Sequence, residues 1–212
     1  MLNLIDREKC LKKYKQFPVT WWNEKTEELD SFYPETYGGF VLTIPAQSFR
    51  GLTGKIGNEL SNLAQILNTD SLIFLRAYDK PWRFQKSDYG PAIKALKYLK
   101  DNGVKSGFNG AIEVKKTELV NFGIHLAWMV RSVAALTEIN FIDPHQNILA
   151  SLCQYGNLHL YTMNKKTHLM LEKFVQKSNF EYLSENVCQE RFRLISSSSN
   201  KQPTKYPVTL KL

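Results

Sequence analysis

Between Arg76 and Lys105 the cations Arg76, Lys80, Arg83, Lys86, Lys94, Lys97, Lys100 and Lys105 outnumber the carboxylates Asp79, Asp88 and Asp101, so this window holds +5 of the chain's formal net charge of +8. Tyr78, Trp82, Phe84 and Tyr89 are interleaved with them. Lysine and arginine pair with phosphates while flat rings stack on bases, which is the chemistry that holds single-stranded nucleic acid. The spacing predicts Trp82 and Arg83 exposed at the end of a strand, with Arg76, Tyr78, Lys80 and Lys86 beside them as a partner- or anion-binding patch. A solvated helix face with core aromatics is the other reading of the same run.

Arg131 is a second candidate anion contact. Its helical neighbours three and four residues away are Ala127, Trp128, Ala134 and Ala135. A guanidinium among apolar residues needs a partner, because breaking a buried ion pair costs about 3–5 kcal/mol. Asp143 and Glu138 are the expected carboxylates, with Glu113 behind them, and the same planar fork suits a ligand phosphate or carboxylate.

The four histidines, His125, His145, His159 and His168, lie close together in sequence. On a helix His125 shares a narrow polar stripe with Asn121 and Ser132. On a strand His159 shares a face with Asn157 and Tyr161. His125, His159 and Tyr161 thus form a candidate polar site, with a hydrogen-bonded core histidine as the alternative for His125. No HExxH or HxH spacing occurs, and Cys10, Cys153 and Cys188 form no CxxC, so neither a metal nor another cofactor is expected. The three thiols read as reduced and structural.

GLTGKIG, Gly51 to Gly57, follows a strand and opens a helix, where backbone amides can cradle phosphate. It lacks the first glycine and the final hydroxyl of a P-loop, which leaves a helix entry with Arg50 and Lys55 nearby. No GxSxG and no paired-carboxylate motif accompanies it, and this favours a binding protein over an enzyme.

The elements that must position these residues follow from periodicity. Residues 4–15 read as a short amphipathic helix. Residues 17–40 carry seven aromatics and set Glu24, Glu27, Glu28, Asp30 and Glu35 against Lys25 alone. This acidic stretch is expected to pack its tryptophans on the core and to face the basic window. Then GGFVLTI, SLIFLRA and FNGAIEVK read as strands alternating with helices over 52–68 and 90–103. Pro91 and Gly103 mark the ends of the second helix, and a third starts after Thr117. Strand runs over 139–143, 147–154 and 157–163 are separated by DPHQ and YGN turns and predict an antiparallel meander, followed by a helix over 166–176.

The expected class is α/β or α+β: one three-layer domain over 1–195 with a mixed sheet, βαβ-like in its first half and a meander in its second. Residues 196–212 read as a polar linker, with VTLKL as a terminal edge strand. The N-terminus has no secretory h-region, and the longest apolar run is broken by Asn121, His125 and Arg131. A cytoplasmic protein without membrane contact is expected.

The run from His125 to Val175 places, in order, a helix, a strand ending in Asp143, a tight turn, a second strand, the Tyr155-Gly156-Asn157 turn, a third strand and a helix. This layout resembles the C-terminal part of small bacterial immunity proteins that neutralise polymorphic or contact-dependent toxins. The resemblance implies a non-enzymatic cytosolic protein that covers a toxin's surface, although this chain is basic where nuclease-neutralising members tend to be acidic. Nucleic-acid binding or processing through the Arg76–Lys105 window is the alternative.

Overall fold

The computed structural model describes residues 2–83, 87–132, 139–183, 187–188, 190 and 192. Its strands are β1 (Asn3–Ile5), β2 (Val19–Asn23), β3 (Glu28–Phe32), β4 (Gly38–Thr43), β5 (Ser71–Arg76), β6 (Ala111–Lys115), β7 (Ile139–Ile142), β8 (Ile148–Leu152), β9 (Leu158–Thr162) and β10 (Glu181–Tyr182). Its helices are α1 (Arg7–Lys13), α2 (Phe49–Ile66), α3 (Gly90–Asp101), α4 (Leu119–Ser132) and α5 (Lys165–Val175). A short 3-10 turn, Lys116–Glu118, leads into α4.

Eight strands form one sheet in the order β1-β6-β5-β7-β8-β9-β4-β10, and β2 and β3 form a separate ribbon. The α/β class expected from the alternating elements holds, and so does the β7-β8-β9 meander. The mixed sheet does not: every pairing between named strands is antiparallel. Following the pairings from β4 through β9, β8 and β7 to β5 shows that β4 and β5 do run in the same direction, as a crossover through α2 demands. The meander is inserted between them. Likewise β6 and β7, joined by α4, are parallel to each other with β5 between. Only β5-α3-β6 reverses direction: Trp82 pairs with the carbonyls of Phe108 and Gly110 just before β6, so the chain leaves β5 and enters β6 at the same end of the sheet.

Strand alternation sends one set of side chains to each face. On the first face Phe40, Leu42, Leu72, Phe74, Ile112, Phe141 and Leu160 meet the apolar stripes of α2, α4 and α5, with α3 packed on α4. On the second face Ile73, Leu75, Ala111, Ile142 and Leu149 meet Cys10, Tyr14 and Phe17. The third layer is thus one short helix, α1, capped by Asp6 accepting from the Lys9 amide.

The last glycine of GLTGKIG serves packing. A Cβ on Gly57 would stand 2.3 Å from the Val120 carbonyl oxygen, and one on Gly123 would stand 2.8 Å from the Gly57 Cα. α2 and α4 touch backbone to backbone at this crossing. At the helix entry the Ser48 hydroxyl already accepts from the Gly51 amide, and Lys55 donates to the Pro45 carbonyl.

Candidate functional site

The loop after β5 uses its arginines to hold its own backbone. Arg76 is buried and donates to the carbonyls of Lys80 and Pro81, at 3.0 and 2.6 Å. Arg7 reaches from α1 to the carbonyls of Arg76 and Ala77, both at 3.0 Å, with Asp79 3.9 Å from its Nε. Arg83 donates to the Val104 carbonyl at 2.8 Å. Buried carbonyls left over by an irregular loop need donors, and a guanidinium offers several at fixed angles.

Trp82 is fully buried, its indole N–H on the Gly110 carbonyl at 2.8 Å and its amide on the Phe108 carbonyl. This corrects the expectation of an exposed Trp82: the ring is a core residue beneath the loop, and cannot stack on a base. Phe84 and Lys86 lie outside the described residues. Tyr78 is half-buried, with the Lys80 ammonium 5.9 Å from its ring centre. Among the described residues the basic window leaves in solvent Lys80 and a lysine face, Lys94, Lys97 and Lys100 on α3 with Lys105 beyond it, and Lys97 is paired with Asp101.

Arg131 has a carboxylate, but a different one from those expected. Asp143 is wholly buried and caps the β7–β8 turn, accepting from the amides of His145, Asn147 and Ile148 and from the Asn147 side chain. Glu138 lies outside the described residues. The Arg131 guanidinium lies over the Phe49 ring at 4.4 Å, donates to the carbonyls of Gln154 and Phe192, and has Glu190 at 3.8 Å. It ties α4 to the β8–β9 turn and to the chain's C-terminal segment.

The candidate polar site separates into three places. His125 stacks on Tyr98 at 4.2 Å between ring centres, and burial lowers its pKa. Tyr161 lies on the second face of the sheet, edge-on to Tyr33 at 6.1 Å. A Cβ at Gly39 would stand 2.7 Å from the Tyr161 ring, so that glycine leaves room for it. His159, two residues before Tyr161 on the same strand face, adjoins Cys153 and Cys188: one nitrogen and two sulfurs lie within 4.8 Å of one another.

The β2–β3 ribbon is the surface that the residue pattern did not predict. Trp21 and Trp22 point to opposite sides of the ribbon, so each side carries an indole. Trp22 is cross-strand from Leu29 on one side; Trp21 lies opposite Asp30 on the other, beside the Val19–Phe32 pair. Trp21, Trp22, Leu29, Phe32, Tyr33 and Tyr37 are all exposed, Trp22 at 58% and Leu29 at 59%. The tryptophans therefore do not pack on the core as expected. The ribbon is held at its base by the Thr20 amide on the Ala77 carbonyl and by Tyr33 against Tyr161. Its tip carries Glu24, Glu27 and Glu28, with Glu27 at φ 54 in the left-handed region. No period-two signal marks it, because each side mixes apolar residues with polar ones.

Among the described residues no helix is long and apolar enough to cross a membrane. No protein-family model matches this chain, and no significant similarity to a curated protein or a solved structure is found.

Proposed function

We propose that this chain is a non-enzymatic binding protein that grips a basic protein partner with the β2–β3 ribbon. The observation that carries the reading is the exposure of Trp21, Trp22, Leu29 and Phe32 on one two-stranded element, with Tyr33 and Tyr37 exposed on the segment that leads from it to β4. An isolated pair of strands is marginal in water, and contiguous exposed apolar surface is the usual mark of an interaction site. Tryptophan and tyrosine are the residues that most often anchor protein interfaces. The partner's chemistry follows from charge: residues 19–37 set Glu24, Glu27, Glu28, Asp30 and Glu35 against Lys25, an acidic rim around apolar anchors on an otherwise basic chain. A cationic toxin domain, the partner implied by the immunity-protein layout, is one partner of this kind.

The test is an affinity purification with the full chain, run in parallel with a Trp22→Ala/Leu29→Ala variant and a Lys94→Gln/Lys97→Gln/Lys100→Gln variant. Calorimetry on the recovered partner follows. A basic protein that binds the parent and the lysine variant but not the ribbon variant supports the reading. An oligonucleotide bound at physiological salt, with affinity lost in the lysine variant, would instead favour nucleic-acid binding through phosphate contacts on α3.

A further inference from the structure

Cys153 and Cys188 are 35 residues apart in sequence, yet their sulfurs stand 3.1 Å from each other. Cys153 follows β8 at the start of the β8–β9 turn, its amide on the Asn157 carbonyl. Cys188 belongs to the segment beyond β10. The Asn157 side-chain N–H donates to the Cys188 sulfur at 3.1 Å, and His159 also hydrogen-bonds to it. Cys153 and Cys188 are half-buried, whereas Cys10 is sealed in the core.

We propose that Cys188 is a peroxide-reactive thiolate and Cys153 its resolving thiol, a reversible redox site on the β8–β9 turn. Asn157 and His159 supply the polar contacts that a thiolate needs and a thiol does not. The charge is therefore directed to Cys188: hydrogen bonds from Cys153, His159 and Asn157 lower its pKa, while the same contact raises that of Cys153. Burial pushes the Cys10 thiol up to about 12, which makes it an inert internal control.

A two-thiolate zinc centre is the competing use of these three residues. With Zn–S bonds near 2.3 Å, tetrahedral geometry spaces two sulfurs about 3.8 Å apart. The sulfurs stand at 3.1 Å in hydrogen-bond contact, and three ligand groups converge here among the described residues where a closed tetrahedral site needs four.

The chemistry closes with a hydroperoxide as oxidant. The Cys188 thiolate attacks one peroxide oxygen; the O–O bond breaks, an S–O bond forms, and the leaving oxygen takes up a proton as water or an alcohol. Cys188 is then a sulfenic acid, oxidised by two electrons. The Cys153 sulfur attacks the Cys188 sulfur, the S–O bond breaks, and the departing hydroxide leaves as water with the Cys153 proton. Two thiols and one hydrogen peroxide become one disulfide and two waters. A small dithiol reverses the step by thiol–disulfide exchange. The disulfide would fasten the segment carrying Glu190 and Phe192, and hence the contacts of Arg131, to the sheet.

The test uses the full chain, reduced and then treated with one equivalent of hydrogen peroxide, and maps all three cysteines by mass spectrometry without reduction. A Cys153–Cys188 cross-link with free Cys10 is expected. Cys153→Ser should instead leave a Cys188 sulfenic acid that dimedone traps, and Cys188→Ser should give neither product. Iodoacetamide should alkylate Cys188 of the unmodified chain at least about tenfold faster than in the urea-unfolded chain, a comparison that needs no variant to fold. Absence of the cross-link, or alkylation no faster than in the unfolded chain, overturns the proposal. So does stoichiometric zinc in the purified chain that blocks oxidation until chelated.

Discussion

The guanidinium carbon of Arg131 lies over the ring of Phe49, 4.4 Å from its centre, and so couples the last turn of α4 to the first turn of α2. The fork also donates to the carbonyls of Gln154 and Phe192 and has Glu190 at 3.8 Å. Arg131→Ala is expected to lower stability in urea unfolding by about 2 kcal/mol, through loss of the cation–π contact and of donors to two carbonyls. Arg131→Lys should recover less than half, since an ammonium cannot serve both carbonyls and the ring together. Full recovery by lysine would show that charge alone matters here.

Trp82 fills the core under the loop, so Trp82→Ala should cost about 3–5 kcal/mol. Lys80→Gln, on the exposed side of the same loop, should stay within about 0.5 kcal/mol of the parent. Equal, small effects in thermal melts would mean that the indole is not packed as described.

Two glycines of α2 should respond with opposite sign. Gly57→Ala places a methyl against the backbone of Val120 and is expected to destabilise by about 1–3 kcal/mol or more. Gly54→Ala meets nothing within 4 Å and should stabilise by about 0.5–1 kcal/mol, because alanine restricts the unfolded chain. Chemical denaturation of both variants decides it; a neutral Gly57→Ala would contradict the close crossing with α4.

His125 makes stability depend on pH. Burial holds its pKa below the ordinary histidine value of about 6.5, so the unfolded chain binds that proton more tightly than the folded one. Its contribution is intact above about pH 6.5 and is lost as pH falls through the lowered folded value. His125→Phe, which keeps a ring against Tyr98, should flatten the urea midpoint between about pH 6.5 and 5. An unchanged slope would assign that dependence to other groups.

On the ribbon, Trp22→Ala and Leu29→Ala should leave the melting behaviour nearly unchanged, within about 0.5 kcal/mol, since both side chains are mostly in water. Each should cost about 2 kcal/mol or more in binding the basic partner if they are its anchors. A ribbon variant that melts early but binds normally would make these residues structural.

Local pattern was enough to place most of the elements. The 3.6-residue spacing of Leu52, Ile56, Leu60 and Leu63 marks α2, Pro91 marks the start of α3, and the turn around Gly156 at φ 82 marks the meander. These signals rest on neighbours a few residues apart, which sequence displays directly. The ribbon escaped because Trp21 and Trp22 erase alternation, and strand direction escaped because periodicity carries no polarity. Only tertiary structure decided which cations are free: Arg76 and Arg83 are consumed by loop carbonyls, and Trp82 by the core, in contacts that no spacing encodes. The same holds for Cys153 and Cys188. Their approach depends on β8, β9 and the segment past β10 converging at one end of the sheet, which a reading of residues along the chain cannot foresee.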